Sequence, residues 1–94
     1  MISYVRQVPI AKSVRKTIEN SFAESRDISF RAKISSIPTV ESILRAVSVN
    51  PNLNTEEELR VFMIKHILSD LRLTKNEQEQ FKNNPDLISE QSTQ

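Results

Sequence analysis

The chain of 94 residues contains no glycine, and this absence limits its possible folds more than any other feature of the sequence. Phosphate-binding loops, dinucleotide-binding fingerprints, nucleophile elbows and tight β-hairpin turns all depend on glycine at a defined position. None of them can be built here in its usual form. Helices tolerate the absence of glycine, since they can end at asparagine or just before proline. We therefore expect a mostly α-helical fold.

Start and stop signals divide the chain into four predicted helices, at about residues 9–24, 38–48, 55–73 and 75–83. The signals are prolines suited to a first turn (Pro9 and Pro38), Asn-Pro pairs that stop a helix (Asn50-Pro51 and Asn84-Pro85) and capping boxes (Thr55 with Glu58, Thr74 with Glu77). These elements form one predicted helical domain, residues 1–86. A flexible C-terminal tail, residues 87–94, is expected to follow it.

Residues 28–35 carry a different pattern, because apolar and polar side chains alternate there. Ile28, Phe30, Ala32 and Ile34 alternate with Ser29, Arg31, Lys33 and Ser35. A period of two is typical of a strand with one buried face, so a short strand is predicted at 28–35. A lone strand leaves its backbone groups unpaired, and its simplest partner is the same strand from a second copy. An all-α bundle without the strand is the alternative.

The third predicted helix, residues 55–73, is apolar on most of its circumference, and such a helix must be covered on more than one side. One broad arc holds Val61, Met63, Ile64, Ile67, Leu68 and Leu71, and another holds Leu59, Phe62 and Leu73. The shorter helices can cover only one arc. Candidates for a dimer or partner interface are therefore Leu59, Phe62, Met63 and Leu73.

Charge is divided unevenly along the chain, although the formal net charge is only +1. Residues 1–45 hold eight basic and four acidic side chains, whereas residues 46–94 hold five basic and eight acidic ones. Lys12, Arg15 and Lys16 lie opposite the apolar stripe of the first helix. This basic face is either a solvated surface or a contact for an anionic partner, such as nucleic acid or an acidic protein.

The sequence offers few groups for catalysis or metal binding. It contains one histidine, His66, and no cysteine. His66 and Asp70 are spaced to share a helix face, but two ligands do not make a zinc site. We therefore expect no enzyme activity, no metal, no cofactor and no small-molecule substrate. The chain also lacks a secretory signal and an apolar run of membrane-spanning length, which predicts a soluble, cytoplasmic protein with no membrane contact.

The order of a short strand, an amphipathic helix and a longer apolar helix over residues 28–72 resembles the ribbon-helix-helix family, found in phage and plasmid repressors and in bacterial antitoxins. The resemblance implies a homodimeric, DNA-binding regulator of transcription whose paired strands enter the major groove. It implies that Ser29, Arg31 and Lys33 face DNA, where arginine suits guanine edges. Asn54 and Thr55, at the start of the longer helix, would offer backbone amides to a phosphate. The chain departs from the family in that a complete helix precedes the strand.

A helical protein-interaction module, without a role in nucleic-acid binding, is the alternative function. An adaptor, an inhibitor or an immunity-type protein needs only amphipathic helices, an exposed apolar patch and no reactive residues. In this interpretation the surface around Leu59 and Phe62 recognises a protein partner.

Overall fold

The computed structural model describes residues 2–50 and 52–82, and every regular element within them is helical. α1 spans Tyr4–Glu24, α2 Ile28–Ala32, α3 Val40–Ser48, α4 Glu56–Leu71 and α5 Lys75–Lys82, with a 3₁₀ turn at Lys33–Ser36. α1, α3, α4 and α5 correspond to the four predicted helices. The prediction of a mostly helical fold is confirmed, in the form of its all-α alternative. The predicted tail lies outside the described residues.

The predicted strand at residues 28–35 is wrong, because this segment folds as α2 and the 3₁₀ turn. The side chain of Asp27 caps α2 by accepting a hydrogen bond from the Phe30 amide at 3.2 Å. Phe30 is buried, but Ile28 is 73% exposed, so the alternating residues share no buried face. A helical turn satisfies its own backbone groups, whereas an isolated strand would leave them without partners.

α1 begins at Tyr4, five residues before the predicted start, and encloses Pro9 in its second turn. The amides of Arg6 and Gln7 both donate to the Ser3 carbonyl at 3.0 Å, which closes the first turn. The buried Gln7 side chain donates to the carbonyl of Ile2 at 2.6 Å. Pro9 lacks one backbone donor, but the helix continues through it to Glu24.

The core lies between α1, α3 and α4, each of which buries one stripe of apolar side chains. The stripes are Ile10, Ala11, Val14, Ile18 and Phe22 on α1; Ile43, Leu44 and Val47 on α3; and Leu59, Met63, Ile64, Ile67 and Leu71 on α4. Their spacing of three and four residues places each stripe on one helix face. The rings of Phe22 and Phe30, with centroids 4.4 Å apart, join the end of α1 to α2.

α1 and α4 lie side by side with their N-terminal turns at the same end of the bundle. Residues of both turns line one shallow depression of about 300 Å³: Val5, Arg6, Pro9 and Ile10 from α1, and Glu56 and Arg60 from α4. α2 follows the other end of α1, and Lys33 contacts Glu77 beyond the end of α4. The Nε of Arg15 donates to the Pro38 carbonyl at 2.8 Å and joins α1 to the turn before α3.

Capping interactions define both ends of α4 and the start of α5. The Glu58 amide donates to Oγ1 of Thr55 at 3.1 Å, as the predicted capping box requires. Thr74 and Glu77 form the second box, with amide-to-side-chain distances of 2.9 and 3.3 Å. α4 ends at Leu71, and the residue that caps it, Arg72, has a φ of 50°, the left-handed conformation that glycine usually supplies. Among the helices described, none has both the length and the apolar character needed to cross a bilayer.

Candidate functional site

The residues predicted to contact DNA fall into two groups at opposite ends of α4. Ser29 and Arg31 are exposed on α2, and Lys33 begins the 3₁₀ turn that contacts α5. Asn54 and Thr55 precede the other end of α4. A helix of sixteen residues is about 24 Å long, so the two groups do not form one surface within a single chain.

The basic face predicted on α1 is divided between exposed and internally bonded side chains. Lys12 and Lys16 are exposed. Arg15 is half-buried, because its guanidinium bonds the Pro38 carbonyl and pairs with the Glu19 carboxylate one turn on. Arg15 therefore holds α1 against the turn that precedes α3. Lys12 and Lys16 remain as the exposed positive charges of the predicted face.

Three of the four residues predicted at an interface lie in the core of the single chain. Leu59 and Met63 are buried because α1 and α3 cover more of α4 than the sequence pattern indicated, and Leu73, which follows α4, is buried as well. Only Phe62 of this set is half-buried at the surface. The expectation that Leu59 and Leu73 lack a partner within the chain is therefore wrong.

An open groove of about 410 Å³ runs along α4 at the edge of the core. We call it the α4 groove, and its lining residues are Leu53, Glu57, Glu58, Val61, Phe62 and Lys65. Its apolar floor consists of Leu53, Val61 and Phe62, each half-buried, while the charged residues are exposed. An apolar floor with charged edges is the usual composition of a protein-binding surface.

The ring of Phe62 is supported from within the same helix. The imidazole of His66, one turn further on, stacks on it with centroids 6.3 Å apart and an interplanar angle of 3°. The Nε2 atom of His66 is buried and has no hydrogen-bond partner within the described part of the chain. Across residues 2–50 and 52–82, no group of three or more His, Cys, Asp or Glu side chains is close enough to hold a metal ion.

Sequence reasoning assigned Val61 to the buried arc and did not identify Leu53 as part of a surface. The signal that could have found the groove was the polar strip of α4, where Glu58 and Lys65 are seven residues apart. Seven residues are nearly two helical turns, so both charges lie on one side. The apolar residues beside that strip, Val61 and Phe62, had to face outward with it.

An ion pair between Lys33 and Glu77 attaches α5 to the 3₁₀ turn. Its Nζ and Oε1 atoms are 2.6 Å apart, and the Glu77 side chain is buried. The hydrogen bond from Lys33 holds the pKa of Glu77 below its ordinary value of 4.5, and the bond from the Thr74 amide acts in the same direction. Lys33, a predicted DNA contact, is thus engaged within the chain.

Glu77→Gln tests this ion pair through the pH dependence of stability. Because the folded state lowers the pKa of Glu77, the carboxylate contributes stability fully above pH about 4.5, and the contribution is lost as the pH falls through the lowered pKa. We expect urea unfolding to show a stability difference between wild type and Glu77→Gln near pH 7 that shrinks toward about pH 3. Glu79→Gln, at an exposed position of α5, is the matched control. A difference that is the same at both pH values would contradict the assignment.

Comparison of the chain with protein-family models, curated proteins and solved structures finds no match. Its function is therefore inferred from its own geometry.

Proposed function

We propose that this chain is a small helical protein-interaction module that binds a protein partner through the α4 groove. The partner surface it fits presents apolar side chains between charged ones. The groove has the corresponding chemistry, since Val61 and Phe62 lie between the carboxylate of Glu58 and the ammonium group of Lys65.

The observation that carries this proposal is the distribution of apolar residues around α4. The core side of the helix is filled by buried residues such as Met63 and Ile67. Val61 and Phe62 nevertheless flank the charged strip of the helix and are half-buried at the surface, and Leu53 extends this apolar surface from the preceding loop. Phe62 and Leu53 also pack against the edge of the core. Exposed apolar surface has a free-energy cost in water, and a protein partner that covers it removes that cost.

A DNA-binding regulator of the ribbon-helix-helix kind is less well supported by the same geometry. Such a protein reads DNA with a paired strand, and residues 28–35 are helical. The five predicted contact residues are separated by the length of α4. Glu56, Glu57 and Glu58 also give the first turn of α4 a negative charge, which disfavours a phosphate near Asn54 and Thr55.

Photo-crosslinking from the groove tests the proposal. A benzoylphenylalanine is placed at Glu57, which is exposed and lines the groove, and in a control at Lys16, which is exposed on α1. After irradiation in the native cells, we expect a discrete protein adduct from position 57 and none from position 16, with each adduct identified by mass spectrometry. Adducts from position 16 alone, or nucleic-acid adducts from either position, would contradict the proposal.

A further inference from the structure

We infer that the protein partner of the α4 groove is a second copy of the same chain, with the two α4 helices packed antiparallel across a two-fold axis at Val61 and Phe62. This inference rests on the proposed function and names its partner. It follows from the order of charged and apolar residues along the groove.

The groove is self-complementary in an antiparallel arrangement. Glu58 lies three residues before Val61, and Lys65 lies three residues after Phe62. A two-fold axis between Val61 and Phe62 therefore places Glu58 of each copy opposite Lys65 of the other. The separation of Glu58 and Lys65 along the helix, about 10.5 Å, is the same in both copies, so the two ion pairs form together. The interface is isologous and closes at two chains.

The same axis brings the apolar floors of the two grooves into contact. Val61 of one copy lies beside Val61 of the other, and Phe62 beside Phe62, because the two-fold axis keeps each side chain on its own flank of the charged strip. Each of these residues is half-buried in the single chain. Packed helices approach to about 8–10 Å between axes, which brings side chains of this size into contact. The stacking of His66 on Phe62 holds the aromatic ring in place on its flank of the contact.

Both charged residues are available for a partner. Lys65 is exposed and makes no ion pair with any residue in 2–50 or 52–82. Glu58 is exposed, and its Oε1 accepts a hydrogen bond from the Thr55 hydroxyl at 3.0 Å, which leaves its charge without an opposing cation there. A parallel arrangement would instead place Glu58 opposite Glu58 and Lys65 opposite Lys65. Like charges opposite each other are destabilising, so charge selects the antiparallel pair.

Charge reversal on the full-length chain tests the inference. Light scattering should give wild type twice its monomer mass of 10.8 kDa. Glu58→Lys and Lys65→Glu each place two like-charged pairs across the axis, so each variant alone should associate about ten-fold more weakly or worse and shift to the monomer mass at the same concentration. Mixed one to one, the two variants regain opposite charges at both positions. We expect the mixture to recover the dimer mass as a heterodimer.

Helicity separates loss of pairing from loss of folding. Glu58→Lys also removes an acceptor of the Thr55 cap, whereas Lys65→Glu touches no cap, so both variants are checked for wild-type circular dichroism before mixing. Recovery of the dimer in the mixture cannot arise from two unfolded chains. Reversal of the exposed Lys16 to glutamate is the control and should leave the dimer mass unchanged.

Three results would overturn the inference. They are a wild-type chain that is monomeric at every concentration, a dimer that persists in both single variants, and folded variants whose mixture stays monomeric. If wild type is monomeric while position 57 crosslinks to a different protein, the proposed function stands and only self-pairing fails. If position 57 gives no protein adduct, the proposed function itself fails.

Discussion

Phe22→Ala should lower the free energy of unfolding by about 3–5 kcal/mol. Phe22 is completely buried at the end of α1, and its ring packs on Phe30 with centroids 4.4 Å apart. Truncation removes the apolar burial of the ring, leaves a cavity and breaks the contact between α1 and α2. Small proteins have total stabilities of about 5–15 kcal/mol, so this loss is a large share of the whole. Urea unfolding followed by circular dichroism at one fixed protein concentration measures it.

Tyr4→Ala is the matched control, because it removes an aromatic ring from the opposite end of the same helix. Tyr4 is 66% exposed, so its loss should change stability by less than about 0.5 kcal/mol. If Phe22→Ala proves too unstable to fold, Phe22→Leu serves instead. It retains part of the apolar volume and should show a measurable unfolding transition, with a stability between those of wild type and Phe22→Ala. A cost for Phe22→Ala below about 1 kcal/mol would show that this ring does not belong to the core.

Ile67→Ala should cost about 2–5 kcal/mol, since Ile67 is completely buried on the core side of α4. Ile28→Ala makes the same chemical change at a residue that is 73% exposed on α2. Alanine also has a higher helix propensity than isoleucine, so Ile28→Ala should lie within about 0.5 kcal/mol of wild type.

The comparison of these two isoleucines also separates the two interpretations of residues 28–35. In the predicted strand, Ile28 faces the core and its truncation is costly. In α2, Ile28 faces solvent and its truncation is nearly neutral. Denaturant titrations of the two variants side by side decide between them, and equal losses at both positions would contradict the helical assignment of Ile28.

The helices that carry capping signals could be predicted from the sequence. Thr55 and Thr74 bond to amides in the first turns of α4 and α5, as their spacing to Glu58 and Glu77 indicates. These bonds are local, so a short stretch of sequence contains all the residues that form them. The start of α1 was missed because Pro9 was taken as its first turn, although the helix already begins at Tyr4.

The strand could not be rejected from its pattern alone. Alternation at residues 28–35 satisfies the rule for a half-buried strand, and the competing signal was a single residue, Asp27, that caps a helix. Backbone pairing argued against the strand, because the chain has no second alternating segment of comparable quality to pair with it. Where an alternating segment has no partner within the chain, a helix that satisfies its own hydrogen bonds is the more stable outcome.

The candidate site required the three-dimensional arrangement of the helices. A helical wheel shows that α4 is apolar on most sides, but it does not show which side α1 and α3 cover. Packing buries Leu59 fully and leaves Val61 half-buried at the surface, the reverse of the expected assignment. The charged strip marked by Glu58 and Lys65 was visible in the sequence, and only the fold shows that Leu53 adds to the apolar surface beside it.

α1 and α4 pack side by side although α2, the 3₁₀ turn and α3 separate them along the chain. Bringing distant segments together costs chain entropy, but each doubling of the connection adds only about 0.6 kcal/mol. Burial of one isoleucine such as Ile18 contributes about 1.5–3 kcal/mol, which exceeds that increment. The connection between α1 and α4 could therefore be lengthened at an entropic cost below the contribution of a single core side chain. Insertions in the exposed turns of this connection should therefore destabilise the protein less than the removal of one core side chain such as Ile18.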